Sequence, residues 1–102
     1  MTNTNYKTIA SKIKFEGRAF INGKYVDAID GAKFETINPA TGETLCSVAK
    51  CNSKDVDLAV KVSRKAFNSG VWSRTSPEFR KDVLLKFAEL LRQTGEENSV
   101  LE

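Results

Sequence analysis

With 102 residues the chain has the length of one domain, and 40% hydrophobic with 28% charged residues is a globular balance; general disorder and a large multi-lobed enzyme are excluded for these residues alone. The 16 Lys and Arg are interleaved with 13 Asp and Glu, so the net charge of +3 is not gathered into the basic stripe a nucleic-acid surface needs. Histidine, the commonest general base and metal ligand, is absent; no apolar run approaches the roughly 18 residues that span a bilayer, and the Arg-free start with Lys7, Lys12 and Lys14 does not read as a secretory leader, which leaves the cytoplasm as the expected compartment.

Residues 1–5 are polar and expected to fray. Tyr6, Ile9, Ala10 and Ile13 then follow the spacing of one helix face, with Thr4 or Asn5 as cap and Gly17 as the expected stop. Ala19-Phe20-Ile21 and Lys24-Tyr25-Val26 flank Asn22-Gly23. This is a hairpin signature, because both turn positions require positive φ. Asp30-Gly31 marks a second turn. Lys33 to Ile37 reads as a strand, packing through Phe34 and Ile37. Residues 38–43, Asn-Pro-Ala-Thr-Gly-Glu, form a turn, since Pro39 lacks a donor and restricts Asn38. Thr44 to Ala49 reads as the returning strand, with Leu45 and Val48 toward a core.

At Ser53, taken as an N-cap, the period becomes helical, with Asp55 and Asp57 complementing the positive end of the helix. Val56, Ala59, Val60, Ser63, Ala66 and Phe67 form one face, and Gly70 supplies a left-handed stop. Trp72, just after that stop, is expected to close a small core. Ser76-Pro77 opens a second helix, whose broad apolar face comprises Phe79, Val83, Leu84, Phe87, Ala88, Leu90 and Leu91. Gly95 interrupts it, and residues 96–102 look helical again. Because Val100-Leu101-Glu102 begins a new apolar pattern, more sequence is expected to follow. The fold class is therefore an α+β fragment: a short leading helix, a hairpin-rich segment and two amphipathic helices, with strands that close no sheet alone.

These residues assemble no catalytic set. Cys46 and Cys51 lack a histidine partner, and their spacing fits neither a zinc pair nor a redox pair, so they read as small hydrophobes in a strand and a loop. No Gly-rich loop opens onto a helix. The 38–42 turn reads as a surface turn rather than a phosphate cradle, and Asp27 and Asp30 as solvated acids.

Taken in order, the segments resemble the start of the NAD(P)-dependent aldehyde dehydrogenases. The likeness is carried by Arg18-Ala19-Phe20-Ile21-Asn22-Gly23-Lys24-Tyr25 and by Phe34-Glu35-Thr36-Ile37-Asn38-Pro39-Ala40-Thr41-Gly42-Glu43. Residues 55–60, Ala66-Phe67, Trp72 and residues 76–91 fit the family's next two helices, and Leu101-Glu102 fits the start of its next segment. The chain thus divides into a tail and short helix, 1–17, and an incomplete family region, 18–102. The leading helix running into Arg18-Ala19-Phe20-Ile21 is similar to the subgroup oxidising amino-aldehydes such as gamma-glutamyl-gamma-aminobutyraldehyde.

The resemblance implies an enzyme several-fold longer. It would hold NAD(P) on a Rossmann-type domain, attack the aldehyde with a cysteine thiolate, pass hydride to the nicotinamide and release the acid with a glutamate-activated water. Those catalytic and cofactor residues fall after residue 102, so neither Cys46 nor Cys51 is the implied nucleophile, and no catalytic or cofactor-binding residue is assigned here. The family also implies a monovalent-cation site, to which this chain would offer only the backbone carbonyls of Thr36 and Ile37. The expectation is a truncated or split aldehyde dehydrogenase, inactive alone, with the faces of both long helices exposed. Its partner would be the remainder of such an enzyme. The alternative is a non-catalytic interaction module pairing with full-length subunits.

Overall fold

The computed structural model describes residues 5–102. Helices α1 (Tyr6–Lys12), α2 (Ser53–Ser69), α3 (Pro77–Gln93) and α4 (Gly95–Leu101) and strands β1 (Ala19–Ile21), β2 (Lys24–Val26), β3 (Lys33–Ile37) and β4 (Thr44–Ala49) form two compact units. One is Phe15–Ser73; the other joins the described residues up to Lys14 to Arg74–Glu102. The fold is the expected α+β fragment. Among the described residues, its strands make two separate antiparallel ribbons, β1·β2 and β3·β4, rather than one sheet.

In the 15–73 unit, Asn22 (φ 57°) and Gly23 (φ 77°) supply the two left-handed positions that let β1 turn back into β2. The register pairs Phe20 with Tyr25, whose rings meet edge-on at 5.1 Å, with the Arg18 guanidinium 5.8 Å from the Tyr25 ring centre. Both aromatic rings stay exposed, while Ile21 and Val26 are half-buried on the side of the ribbon facing α2. Glu16 grips Arg18 through a two-pronged ion pair, Oε1 to Nε at 2.6 Å and Oε2 to the guanidinium at 3.2 Å. That hydrogen bond holds the Glu16 carboxyl below its usual range and raises Arg18. Water screens the pair, so it adds little stability.

The ribbon β3·β4 runs in register from Lys33↔Ala49 to Thr36↔Cys46, then skips to Ile37↔Thr44. Leu45 is thereby the extra residue of a bulge, placed just before the turn that closes the ribbon. Phe34, Ile37 and Leu45, expected in a core, are all exposed; Val48 is half-buried. Two-stranded ribbons have no second layer in this unit thick enough to cover both faces.

Gly17 departs from its expected role. Helix α1 already ends at Lys12, and Gly17 instead lies against β4, its carbonyl accepting the Ala49 N–H at 2.7 Å. A β-carbon at Gly17 would sit 2.0 Å from the Ser47 carbonyl oxygen, so the residue is glycine because two backbones touch there.

Helix α2 is capped one residue earlier than expected. Asn52, not Ser53, is the N-cap, and Asn52 with Asp55 forms a reciprocal capping box. Gly70 closes the helix in the left-handed conformation, φ 79°, as expected. The inner side of α2 carries Asp55, Leu58 and Val62, facing the β1·β2 ribbon. The face assigned from the sequence, built on Val56, Val60 and Phe67, points outward and is exposed. Trp72, expected to close a small core, is 42% exposed.

In the other unit, Asn5 caps α1 by accepting the Thr8 N–H at 3.2 Å; the alternative cap, Thr4, lies outside the described residues, as do residues 1–4 of the polar start. Helix α1 packs on α4. Helix α3 begins as expected, with the Ser76 hydroxyl accepting the Phe79 N–H at 3.1 Å and Pro77 in the first turn. Replacing Ser76 with alanine removes that acceptor. It is expected to cost about 1 kcal/mol of helix stability, read as a lower unfolding midpoint by circular dichroism. The break between α3 and α4 falls at Thr94, whose hydroxyl donates to the Leu90 carbonyl at 3.0 Å, and Gly95 starts α4 rather than ending α3.

Candidate functional site

Three groups of residues were singled out by the sequence: the two cysteines, the 36–43 strand end and turn, and the apolar helix faces. Both cysteines are free thiols. Cys46 lies half-buried on β4, and Cys51 is exposed ahead of α2. Among the described residues, no three Cys, Asp or Glu side chains gather where they could hold a metal ion.

The turn spends its polar groups on itself. The Asn38 side-chain oxygen accepts the Ala40 N–H at 2.9 Å and its carbonyl accepts the Gly42 N–H at 2.7 Å. The Asn38 N–H donates to the Glu43 carbonyl at 2.8 Å, and the Thr41 hydroxyl accepts the Glu43 N–H at 3.3 Å. With those N–H groups already committed, the turn is not a phosphate cradle. Asp27 and Asp30 do not pair with each other either. Asp27 lies 3.9 Å from the Lys33 ammonium, and Asp30 accepts the Ala32 N–H at 2.9 Å and the Asn52 side-chain amide at 3.2 Å.

Thr36 and Ile37 sit at the bulge, Thr36 half-buried and Ile37 exposed. Oxygen-bound cations such as calcium take roughly six to eight ligands. Two carbonyls with no acidic cluster beside them do not fit a cation on their own.

The dominant surface feature is apolar. On α3, Phe79, Val83, Phe87 and Leu90 line one open groove, bordered by Asp82 and Lys86. On α2, Val56, Ala59, Val60 and Phe67 line another, with the Arg64 guanidinium 5.6 Å from the Phe67 ring centre. Among the described residues the only buried hydrophobic side chain is Ala28, and the large side chains of both stripes are 40–61% exposed. Isolated exposed hydrophobics are ordinary, but continuous helical stripes of large ones mark surfaces that pack on something else. The exposure of both faces is what the sequence led us to expect.

Asp55 is the polar residue whose part the sequence reading missed. It was seen only as a complement to the helix dipole, yet it is 3% exposed and binds backbone on two segments. The signal available was Asn52 and Asp55 at capping-box spacing.

The family model for the aldehyde dehydrogenase family matches residues 25–102. The chain is 51% identical over 100 residues to aldehyde dehydrogenase 1 of Tanacetum cinerariifolium, a match covering 98% of this chain and 20% of the relative. Among solved structures, the gamma-glutamyl-gamma-aminobutyraldehyde dehydrogenase of Burkholderia cenocepacia superposes with a TM-score of 0.90 at 42% identity, covering 94% of this chain and 20% of that one. The P. syringae indole-3-acetaldehyde dehydrogenase, solved with NAD+, gives a TM-score of 0.91 at 44% identity over 94% of this chain and 19% of that one. The chain therefore spans about a fifth of the length of the relatives it matches. Its ribbons and helices superpose on one portion of a much longer fold, and the chain belongs to the aldehyde dehydrogenase family.

Proposed function

We propose that these 102 residues serve as the N-terminal portion of a cytoplasmic aldehyde dehydrogenase and carry no catalysis of their own. The observation that carries this reading is the pair of uncovered apolar stripes on α2 and α3 in a chain spanning a fifth of its relatives. In the assembled enzyme an aldehyde, NAD(P)+ and water give the carboxylic acid, NAD(P)H and a proton. The contribution of this segment is to pack against the cofactor-bearing part and complete its framework. Thr36 and Ile37 lend two backbone carbonyls to a monovalent-cation site whose other ligands come from elsewhere in the enzyme. The substrate class we favour is an amino-aldehyde, supported by the likeness to a gamma-glutamyl-gamma-aminobutyraldehyde dehydrogenase.

The test is complementation. A family enzyme shortened by the matching fifth is mixed with the 102-residue chain, and nicotinamide reduction is followed with gamma-glutamyl-gamma-aminobutyraldehyde. We expect neither piece to turn over alone and activity to return on mixing. Turnover by the 102-residue chain alone would refute the proposal. Binding to intact aldehyde dehydrogenase subunits with no rescue of the shortened enzyme would favour an interaction module instead.

A further inference from the structure

Asp55 is the one buried charged side chain among the described residues. Its Oδ1 accepts the Ile29 N–H at 2.8 Å and its Oδ2 the Asn52 N–H at 2.9 Å. One carboxylate thus ties the start of α2 to a segment 26 residues earlier, three residues past the end of β2. A second link runs beside it, from the Asn52 side-chain amide to Asp30. Apolar contact at the joint is limited: Ala28 is buried beside Ile29, and Ile21, Val26 and Val62 are half-buried. Ile21 and Val26 of the β1·β2 ribbon and Leu58 and Val62 of α2 line an open cleft of about 300 Å³ between the two elements.

We propose that Asp55 is an acid-sensitive clasp: its ionised carboxylate holds the β1·β2 ribbon onto α2, and neutralising it releases the ribbon while β3·β4 stays paired. Two N–H donors converge on the group, and only a carboxylate offers an acceptor oxygen to each. An asparagine keeps one acceptor and turns its amide N–H₂ against the other donor. The charged groups that share the cleft or the joint are Lys24, Asp27 and Asp30. Asp27 is already paired with Lys33, and Asp30 is committed to Ala32 and Asn52, so neither replaces Asp55.

The direction of the pH effect follows from the hydrogen bonds. The Asn52 N–H foremost, and then the Ile29 N–H, hold the Asp55 carboxyl below the usual aspartate range, outweighing the opposing effect of burial. A carboxyl whose folded value is lowered stabilises fully above its unfolded value, about pH 4, and that stabilisation disappears as pH falls through the lower folded value. The clasp is closed at neutral pH and opens in acid.

Amide hydrogen exchange on the 102-residue chain, resolved by residue, tests this. At neutral pH the Ile29 and Asn52 amides are expected to be protected together. In Asp55→Asn both should lose at least about tenfold in protection, with the ladder amides of β1·β2 following. The Ala49 amide, bonded to Gly17 and remote from the clasp, should hold its protection. Acidifying the unaltered chain stepwise below about pH 4 should lower the protection of the two amides together, and Asp55→Asn should show no such joint loss over the same range. Unprotected Ile29 and Asn52 amides in the unaltered chain, amides that respond independently, or an Ala49 amide that falls with them would each overturn the clasp.

Discussion

Replacing Gly17 with alanine is expected to destabilise the 15–73 unit by about 2–3 kcal/mol or more, near the upper end for forced overpacking. The added methyl carbon would stand 2.0 Å from the Ser47 carbonyl oxygen, 3.1 Å from the Ser47 carbonyl carbon and 3.3 Å from the Val48 α-carbon. All three are backbone atoms, so no side chain can swing aside. Relief requires the 15–18 segment to lift from β4, which breaks the bond between the Gly17 carbonyl and the Ala49 N–H. Urea unfolding of the variant should show a lower midpoint at an unchanged slope. Gly95→Ala is the matched control. Nothing lies within 4 Å of a β-carbon there and the residue starts α4, so the same substitution should leave stability unchanged or raise it by about 0.4–1 kcal/mol. Equal losses at the two positions would mean that the contact at Gly17 is not what selects glycine.

The second large effect belongs to the α3 stripe. Changing Val83 and Phe87 together to aspartate should abolish pairing with the shortened enzyme while leaving α3 helical. The two residues lie one turn apart, between Phe79 and Leu90, in one groove. Burying a side chain of this size stabilises by about 1.5–3 kcal/mol, so losing two forfeits at least about 3 kcal/mol, or roughly 100-fold in affinity. Burying two unpaired carboxylates adds a further penalty. The unaltered chain should also bind a hydrophobic dye strongly, and the double variant should bind less. A double variant that still complements at the same concentrations would place the contact on some other surface. Unchanged dye fluorescence would show that this stripe is not the accessible apolar surface.

How much was legible depended on how far each feature reaches along the chain. The Asn22-Gly23 turn, the Gly70 stop and the Ser76-Pro77 start are decided by a few neighbouring dihedrals and side-chain acceptors, and each stands where the residues place it. Gly17 was misread because a glycine needed for a close approach to β4 has the same local appearance as one that ends a helix. Its reason lies thirty residues away, at Ser47. Ser53 was taken as the cap because serine caps well, but Asn52 before it caps equally well, and the Asp55 carboxylate returning to Asn52 sets the helix start there. Helix α2 is apolar on two sides, with Leu58 and Val62 toward the β1·β2 ribbon and Val56, Val60 and Phe67 outward, so periodicity alone selected the richer side and missed the one facing the ribbon. Phe34, Ile37, Leu45 and Trp72 were assigned to cores because they are large and apolar, yet each is exposed in this chain. The interest of Thr36 and Ile37 came entirely from family resemblance; their own chemistry, two backbone carbonyls beside a bulge, carries no signal.

The separation of the strands into two ribbons has a consequence at their edges. Every strand in a two-stranded ribbon is an edge strand, with N–H and C=O groups on its outer side that have no ladder partner, and on β4 the Gly17 carbonyl takes up the Ala49 N–H. Strand β4, Thr-Leu-Cys-Ser-Val-Ala, contains no charge, no proline and no glycine over six residues. That is the length and composition of a segment able to stack into cross-β fibrils. Glu43 before it, Lys50 after it and Lys33 opposite Ala49 are the nearest charges that oppose such stacking. Of the two ribbons' edges, β4 thus has the composition of a fibril-forming segment, restrained by the Gly17 segment laid against it and by the charges at its ends.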